Sequence, residues 1–251
     1  MSPPEGLTLA RRTDRLAQAP ASRYEPADGC TVCRTPERPD YLFGNYLILD
    51  EPPVPDDLPA WLDRAAGAFG TGTRPAVLQW EQPDRYPPFE LPGSTLVEHL
   101  VLAGTGVATA RAAEVSEVTT DRHWAELVGF AARETATDEG WTRWRYGQYR
   151  ALGSACRWLV ARDGNQVVAA GGLVSEDGLD RFQEVVTAAD RRRRGLATAL
   201  CGELLRRSER PERQAVAVAD PATGADRVYR ALGLEPVGYQ YSVLTGSGRD
   251  A

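Results

Sequence analysis

The sequence predicts an α/β protein, and three observations carry that prediction. Short apolar or β-branched runs alternate with segments whose apolar residues recur every three or four positions. Asp163-Gly164-Asn165 stands between two apolar runs, 156–162 and 166–174, which is the pattern of a β-hairpin. The β-branched run Phe182–Thr187 passes through an arginine-rich turn, 191–194, into the helical spacing of Leu196, Leu200 and Leu204.

In chain order, residues 1–22, with Pro3, Pro4 and Pro20, are predicted to be partly disordered. Residues 23–110 read as a smaller α/β domain: strands near 29–35 and 45–50, a helix over Leu58–Phe69, and strands near 76–81 and 95–103. The small-residue stretch 104–113 marks a boundary. From 113 to 245 a second domain begins with a strand at 113–118 and a helix through 123–128, capped by Thr119-Thr120-Asp121. A second helix over 138–150, the hairpin, and the strand–turn–helix segment follow. Next comes a buried strand, 214–219, ending at Asp220-Pro221. Ala225, Val228, Tyr229 and Leu232 then share one helix face, with Gly233 placed to end the helix. A strand over 237–244 closes the domain.

A length of 251 residues suits one large domain or two small ones. Hydrophobic residues make up 42% and charged residues 25%, an ordinary globular balance. No run is long and apolar enough to span a membrane, and Met1–Arg12 lacks the apolar segment of a secretory signal, so the expected location is cytoplasmic. All 29 basic residues are arginine. Residues 1–110 hold 9 Arg against 15 Asp and Glu, while residues 111–251 are balanced at 20 and 20. That distribution argues against a nucleic-acid surface. Cys30-x-x-Cys33 lies in a strand where the two side chains face opposite sides, and His99 and His123 are the only imidazoles. Ordinary packed thiols are expected there, and no metal.

The turn after Phe182–Thr187 carries the chemistry. Arg192-x-x-Gly195-x-Ala197 stands at a helix start, where unpaired N–H groups and the positive dipole end favour a phosphate or diphosphate. Gly195 and Ala197 allow close backbone approach, and the neighbouring arginines add forked donors. This pattern resembles the coenzyme A loop of the GNAT acyltransferase superfamily, usually Gln/Arg-x-x-Gly-x-Gly/Ala. Ala225…Val228-Tyr229…Gly233-Leu234 resembles the superfamily's later Asn…Ala…Leu-Tyr-x-x-x-Gly-Phe helix, and the element order over 113–245 is similar as well. Arg34-Thr35-Pro36, Pro39–Leu47 and Asp50-Glu51-Pro52-Pro53 look like the amino-terminal region of a bacterial subgroup. That subgroup also shares Phe-Gln-x-Val-x-Thr before an Arg-Arg-Arg-Gly loop.

The resemblance implies a mixed, mostly antiparallel central sheet with flanking helices, preceded by a domain that we take to be a degenerate half of the same kind. It implies an acyl-coenzyme A-dependent N-acyltransferase with acetyl-coenzyme A as default donor. Amides of Val185, Val186 and Thr187 would hold the pantetheine arm and thioester carbonyl. Arg192, Arg193, Arg194, Gly195, Leu196, Ala197 and Thr198 would wrap the diphosphate. Tyr229 matches the tyrosine that protonates the leaving sulfur; its spacing equally suits a packed aromatic. Glu184 is the candidate general base, and a paired structural carboxylate is the other reading. Strand alternation would put Phe182, Glu184 and Val186 on one face and Gln183, Val185 and Thr187 on the other. Asp220 stands where the superfamily often has asparagine, which leaves its contact with the coenzyme arm open.

Asp138–Arg150, with interleaved aromatics and arginines, either grips a planar or anionic acceptor or docks on the other domain. No cysteine or serine stands out as an acyl carrier, so direct attack by a small amine in a ternary complex is expected. The chain would act as a monomer or homodimer. Two alternatives remain: a non-catalytic acyl-coenzyme A sensor or scaffold, and transfer from an aminoacyl-tRNA, which the acidic first part opposes.

Overall fold

The computed structural model describes residues 9–69, 76–88, 90–106, 114–208 and 212–245. The chain divides into two compact units. The first takes residues 1–11, 21–101 and 237–251, and the second takes 12–20 and 102–236.

The chain starts with helix α1, Leu9–Gln18, followed by strands β1, Arg23–Ala27, and β2, Cys30–Arg34. Asp28 and Gly29 form the two-residue turn between these strands, and Gly29 supplies the positive φ of +66°. Strand β3, Tyr46–Leu49, runs antiparallel to β2, and β4, Val77–Gln82, runs parallel to β3. Between them helix α2, Leu58–Phe69, lays Leu58, Leu62 and Ala65 onto Leu47, Leu49, Leu78 and Trp80. Cys30 joins that core, whereas Cys33 packs with Tyr46 and Ile48 in a separate cluster, so the two thiols do lie on opposite faces. Strand β5, Ser94–Gly104, leads towards the second unit.

The second unit starts its sheet with β6, Val115–Glu117, and then helices α3, Asp121–Thr135, and α4, Glu139–Ala151. Thr120 caps α3 by accepting the His123 N–H at 3.2 Å, and Asp138 caps α4 through the Trp141 N–H at 2.8 Å. Strands β7, Cys156–Asp163, β8, Gln166–Glu176, and β9, Leu179–Thr187, form an antiparallel meander with β6. Helix α5, Leu196–Ser208, follows, and strand β10, Gln214–Ala219, lies parallel to β9. The short helix α6, Asp226–Arg230, ends in a Schellman turn. Gly233, at φ +81°, turns the chain so that the Leu234 N–H reaches the Tyr229 carbonyl at 3.1 Å. One face of the sheet carries Trp158, Val160 and Ala170 under Leu127, Phe130, Tyr146 and Tyr149 of α3 and α4. The other carries α5, whose Leu200 comes against Gly171. The result is a mixed, mostly antiparallel sheet with flanking helices, as the resemblance implied.

The last strand, β11, Glu235–Thr245, pairs antiparallel with β4 from Tyr239↔Gln82 to Leu244↔Val77. One expectation is thereby corrected. Residues 23–110 and 113–245 do not close as separate blocks, because the first unit's sheet takes its strand 237–245 from the far end of the chain. Of the segment 1–22, expected to be partly disordered, residues 1–8 lie outside the described residues. Its residues 9–18 are helical, with Ala10, Thr13 and Ala17 buried, and Asp14 pairs with Arg181 at 3.0 Å. No helix among the described residues is long and apolar enough to cross a membrane.

Candidate active site

Strand β9 is not a regular strand. Its ladder with β8 runs Leu173↔Phe182 and Gly172↔Gln183, then resumes at Ala170↔Val186, so Glu184 and Val185 together oppose Gly171. Glu184 takes φ +46° at this β-bulge. The bulge overturns the simple alternation. Phe182 packs at a tilt against Tyr229 and Val185 faces Leu200 through Gly171, both on the α5–α6 face. Gln183 and Glu184, both within 3.1 Å of Tyr149 Oη, lie on the α4 face, and Val186 packs there too. An extra residue in the strand brings two consecutive side chains to one side, which strict period-2 reading cannot give.

The same region opens the sheet. β9 and β10 pair over three positions, Leu179↔Gln214 to Arg181↔Val216. Beyond Arg181 and Val216 that ladder stops, so the facing edges of Phe182–Thr187 and Ala217–Ala219 are not paired with each other, and a third partner could meet them. The chain then turns through Ala188–Arg192 towards α5. Ala189 N–H is held by Glu134 Oε2 of α3 at 3.1 Å, and Arg191 pairs with Asp163 at 2.8 Å. Arg193 and Gly195 both take left-handed φ, +60° and +78°, and a side chain at Gly195 would meet open space. The first helical bond is Ala199 N–H to Gly195 C=O at 3.0 Å, which places the amides of Leu196, Ala197 and Thr198 ahead of the ladder. Arg192, Arg193 and Arg194 are exposed beside them. Free N–H donors, left-handed turns and exposed arginines, with Arg192 bonded to the Thr187 carbonyl and Arg194 to that of Asp190, could hold an anion such as a diphosphate.

Tyr229 is buried against Phe182, with ring centroids 5.3 Å apart, and burial drives its phenol far above the ordinary tyrosine value. It is a packing residue, and burial favours the neutral form of its phenol. Glu184 lies beside Tyr149 and the buried Arg145, whose Nε is 3.8 Å from Oε1, instead of between apolar neighbours. Asp220 accepts the Ala222 N–H at 2.8 Å and caps a short turn. On α4, Tyr146 and Tyr149 pack on Trp158 of their own sheet, so docking of the aromatic helix is internal to its unit. The partners of Glu184 were within the singled-out segment 138–150, but the bulge that brings it to them has no glycine to announce it.

Residues 123–234 match the model of the acetyltransferase (GNAT) family. No curated protein matches the sequence. Among solved structures, a GCN5-related N-acetyltransferase from Kribbella flavida is similar over 97% of this chain and 98% of its own, at 20% identity and a TM-score of 0.69. A functionally unknown conserved protein from Staphylococcus epidermidis reaches a TM-score of 0.71 at 13% identity, over 90% and 94% of the two chains. A GNAT-family acetyltransferase from Colwellia psychrerythraea covers 98% of this chain and 91% of its own, with a TM-score of 0.56 at 13% identity. At these identities the structures establish a shared fold.

Proposed function

We propose that the protein is an acyl-coenzyme A-dependent N-acyltransferase acting on a small amine, a reading supported by the match of residues 123–234 to the GNAT acetyltransferase family. One observation carries the reading: a carboxylate on a bulged strand stands where the sheet opens, next to a helix start with free amides. Acetyl-coenzyme A, the default donor, supplies the acetyl group as a thioester. The amides of Leu196, Ala197 and Thr198, with Arg192, Arg193, Arg194 and Gly195, would hold its diphosphate. Those of Val185, Val186 and Thr187 would bind the arm and polarise the carbonyl, a contribution that grows in a dry site. Asp220 would border the arm from the other strand.

In this reading Glu184 takes a proton from the incoming ammonium, and Tyr229 returns one to the leaving sulfur. The place of Tyr229 in the helix motif supports the second role, since a phenol near its ordinary value of about 10 is protonated at neutral pH. Attack is direct, in a ternary complex. A cytoplasmic monomer or homodimer, with a small amine and no nucleic acid as partner, completes the proposal. Calorimetry with acetyl-coenzyme A is the first test, and a stoichiometric site on folded protein is expected. No binding at millimolar donor removes the proposal. A screen of small amines, followed by thiol release, then identifies the acceptor; donor binding without any turnover would instead mark a sensor.

A further inference from the structure

Glu184 is held by one oxygen. Tyr149 Oη lies 3.1 Å from Oε1 and Arg145 Nε lies 3.8 Å from that same atom, whereas Oε2 has no partner among the described residues. The Glu184 side chain is 36% exposed, and with both contacts on Oε1 the oxygen left for a ligand is Oε2. Tyr149 itself is fully buried, and its ring carries the Arg145 guanidinium 4.5 Å from its centroid. Its hydroxyl also lies 3.1 Å from Gln183 Oε1, yet a phenol has one hydrogen and cannot serve both a carboxylate and an amide oxygen. The buried Gln183 Nε2 meanwhile lacks a partner. Turning the amide so that its nitrogen faces Tyr149 removes the competition for the phenol hydrogen and gives Nε2 a partner, with Oε1 taking the unbonded position. Gln183 N–H then donates to the Tyr149 oxygen, and Tyr149 O–H donates to Glu184 Oε1. Each link polarises the next towards the carboxylate.

We propose that Tyr149 is a positioning residue that, with Arg145, pins Glu184 by Oε1 so that Oε2 alone meets the incoming ammonium. The N–H bond of the ammonium breaks, its proton passes to Oε2, and the nitrogen keeps the electron pair it needs for attack. This inference rests on reading Glu184 as the base. Placing a base within about an ångström is worth one to two orders of magnitude in rate, so losing the pin is costly.

Tyr149→Phe tests it, because the ring and its stacking under Arg145 stay while Oη alone is lost. With acetyl-coenzyme A and 2-phenylethylamine as the probe amine, thiol release is expected to slow about tenfold. The donor dissociation constant should stay within about twofold, since the cradle is untouched, and a crystal structure should show the Glu184 side chain displaced. Glu184→Gln should lose at least about a hundredfold, and the double variant should be no slower than Glu184→Gln alone. Full turnover and an unmoved Glu184 in Tyr149→Phe, beside an inactive Glu184→Gln, overturn the positioning role and leave the base. Multiplying losses in the double variant overturn it too. Turnover retained by Glu184→Gln removes the base, a separate failure read from that variant alone.

Discussion

At Tyr229 packing and the proposed acid role fall on one side chain. Its ring lies tilted against Phe182 with centroids 5.3 Å apart, and burial raises the phenol above the ordinary tyrosine value. Replacing Tyr229 by Phe keeps the ring and deletes only the donor. Turnover should fall roughly tenfold to a hundredfold while acetyl-coenzyme A affinity holds, and unchanged turnover would strip Tyr229 of its acid role. Gly172 makes a contrasting case, one of packing without chemistry. A Cβ there would stand 2.5 Å from the ring of Trp158, itself buried between Tyr146 and Tyr149. Gly172→Ala should therefore cost about 1–3 kcal/mol, read as a lower denaturation midpoint with the acetyl-coenzyme A site retained once folded.

At the scale of elements, the turn before α5 depends on backbone conformation as much as on its arginines. Gly195 holds φ +78° with open space where a side chain would begin, so Gly195→Ala meets no clash but must adopt a left-handed conformation. We expect a stability loss of about 1 kcal/mol and a weakening of acetyl-coenzyme A binding by about tenfold in calorimetry. Equal affinity in the variant would dissociate this turn from the diphosphate. The turn, the helix after it, α2 and the 163–166 hairpin were all legible, because local chemistry dictates each: spacing, caps, Asp-Gly. Three features were not. Helix α1 has Arg11, Arg12, Asp14 and Arg15 on a short amphipathic segment after two prolines, and it is held by the distant Arg181, which no local pattern reveals. Strand β1 contains Pro26 and polar residues, so no apolar alternation marks it, and Pro is tolerated because β1 lies at a sheet edge. The bulge at Glu184 arises from the ladder to β8, with a non-glycine residue at positive φ, so sequence alternation pointed the carboxylate to the wrong face.

For the molecule as a whole, the titrating groups make stability asymmetric in pH. On the acid side, carboxyls are held low by arginines, two of them exposed. Glu98 is lowered chiefly by its bond to Arg85, Glu126 by Arg162, and Glu203, at about 2, by Arg206. Stability from such groups is present above the unfolded value near 4.3 and is lost as pH falls through the lower folded value. Because Arg85 and Arg206 face solvent, that loss should be shallow and should shrink further in high salt. On the alkaline side the groups are buried and both units contain them. Burial raises Tyr86 and Tyr241 in the first unit, the latter to about 12, and raises Tyr146 and Tyr229 in the second. Cys156 is likewise pushed up to about 12. A raised folded value means that the native chain keeps protons the unfolded chain has lost. Stability is then complete below the unfolded values of about 8.5 for Cys and 10 for Tyr, and drains as pH rises through the folded ones. Each group adds at most about 1.4 kcal/mol per pH unit within its window, so several acting together should make the alkaline limb steep. Denaturant midpoints measured from pH 3 to 12 should thus show a broad plateau, a gentle salt-sensitive acid decline, and a sharp salt-insensitive collapse starting near pH 9–10. A midpoint that stays level to pH 12 would show that these phenols ionise without unfolding either unit, and that their surroundings admit water far more freely than their packing implies.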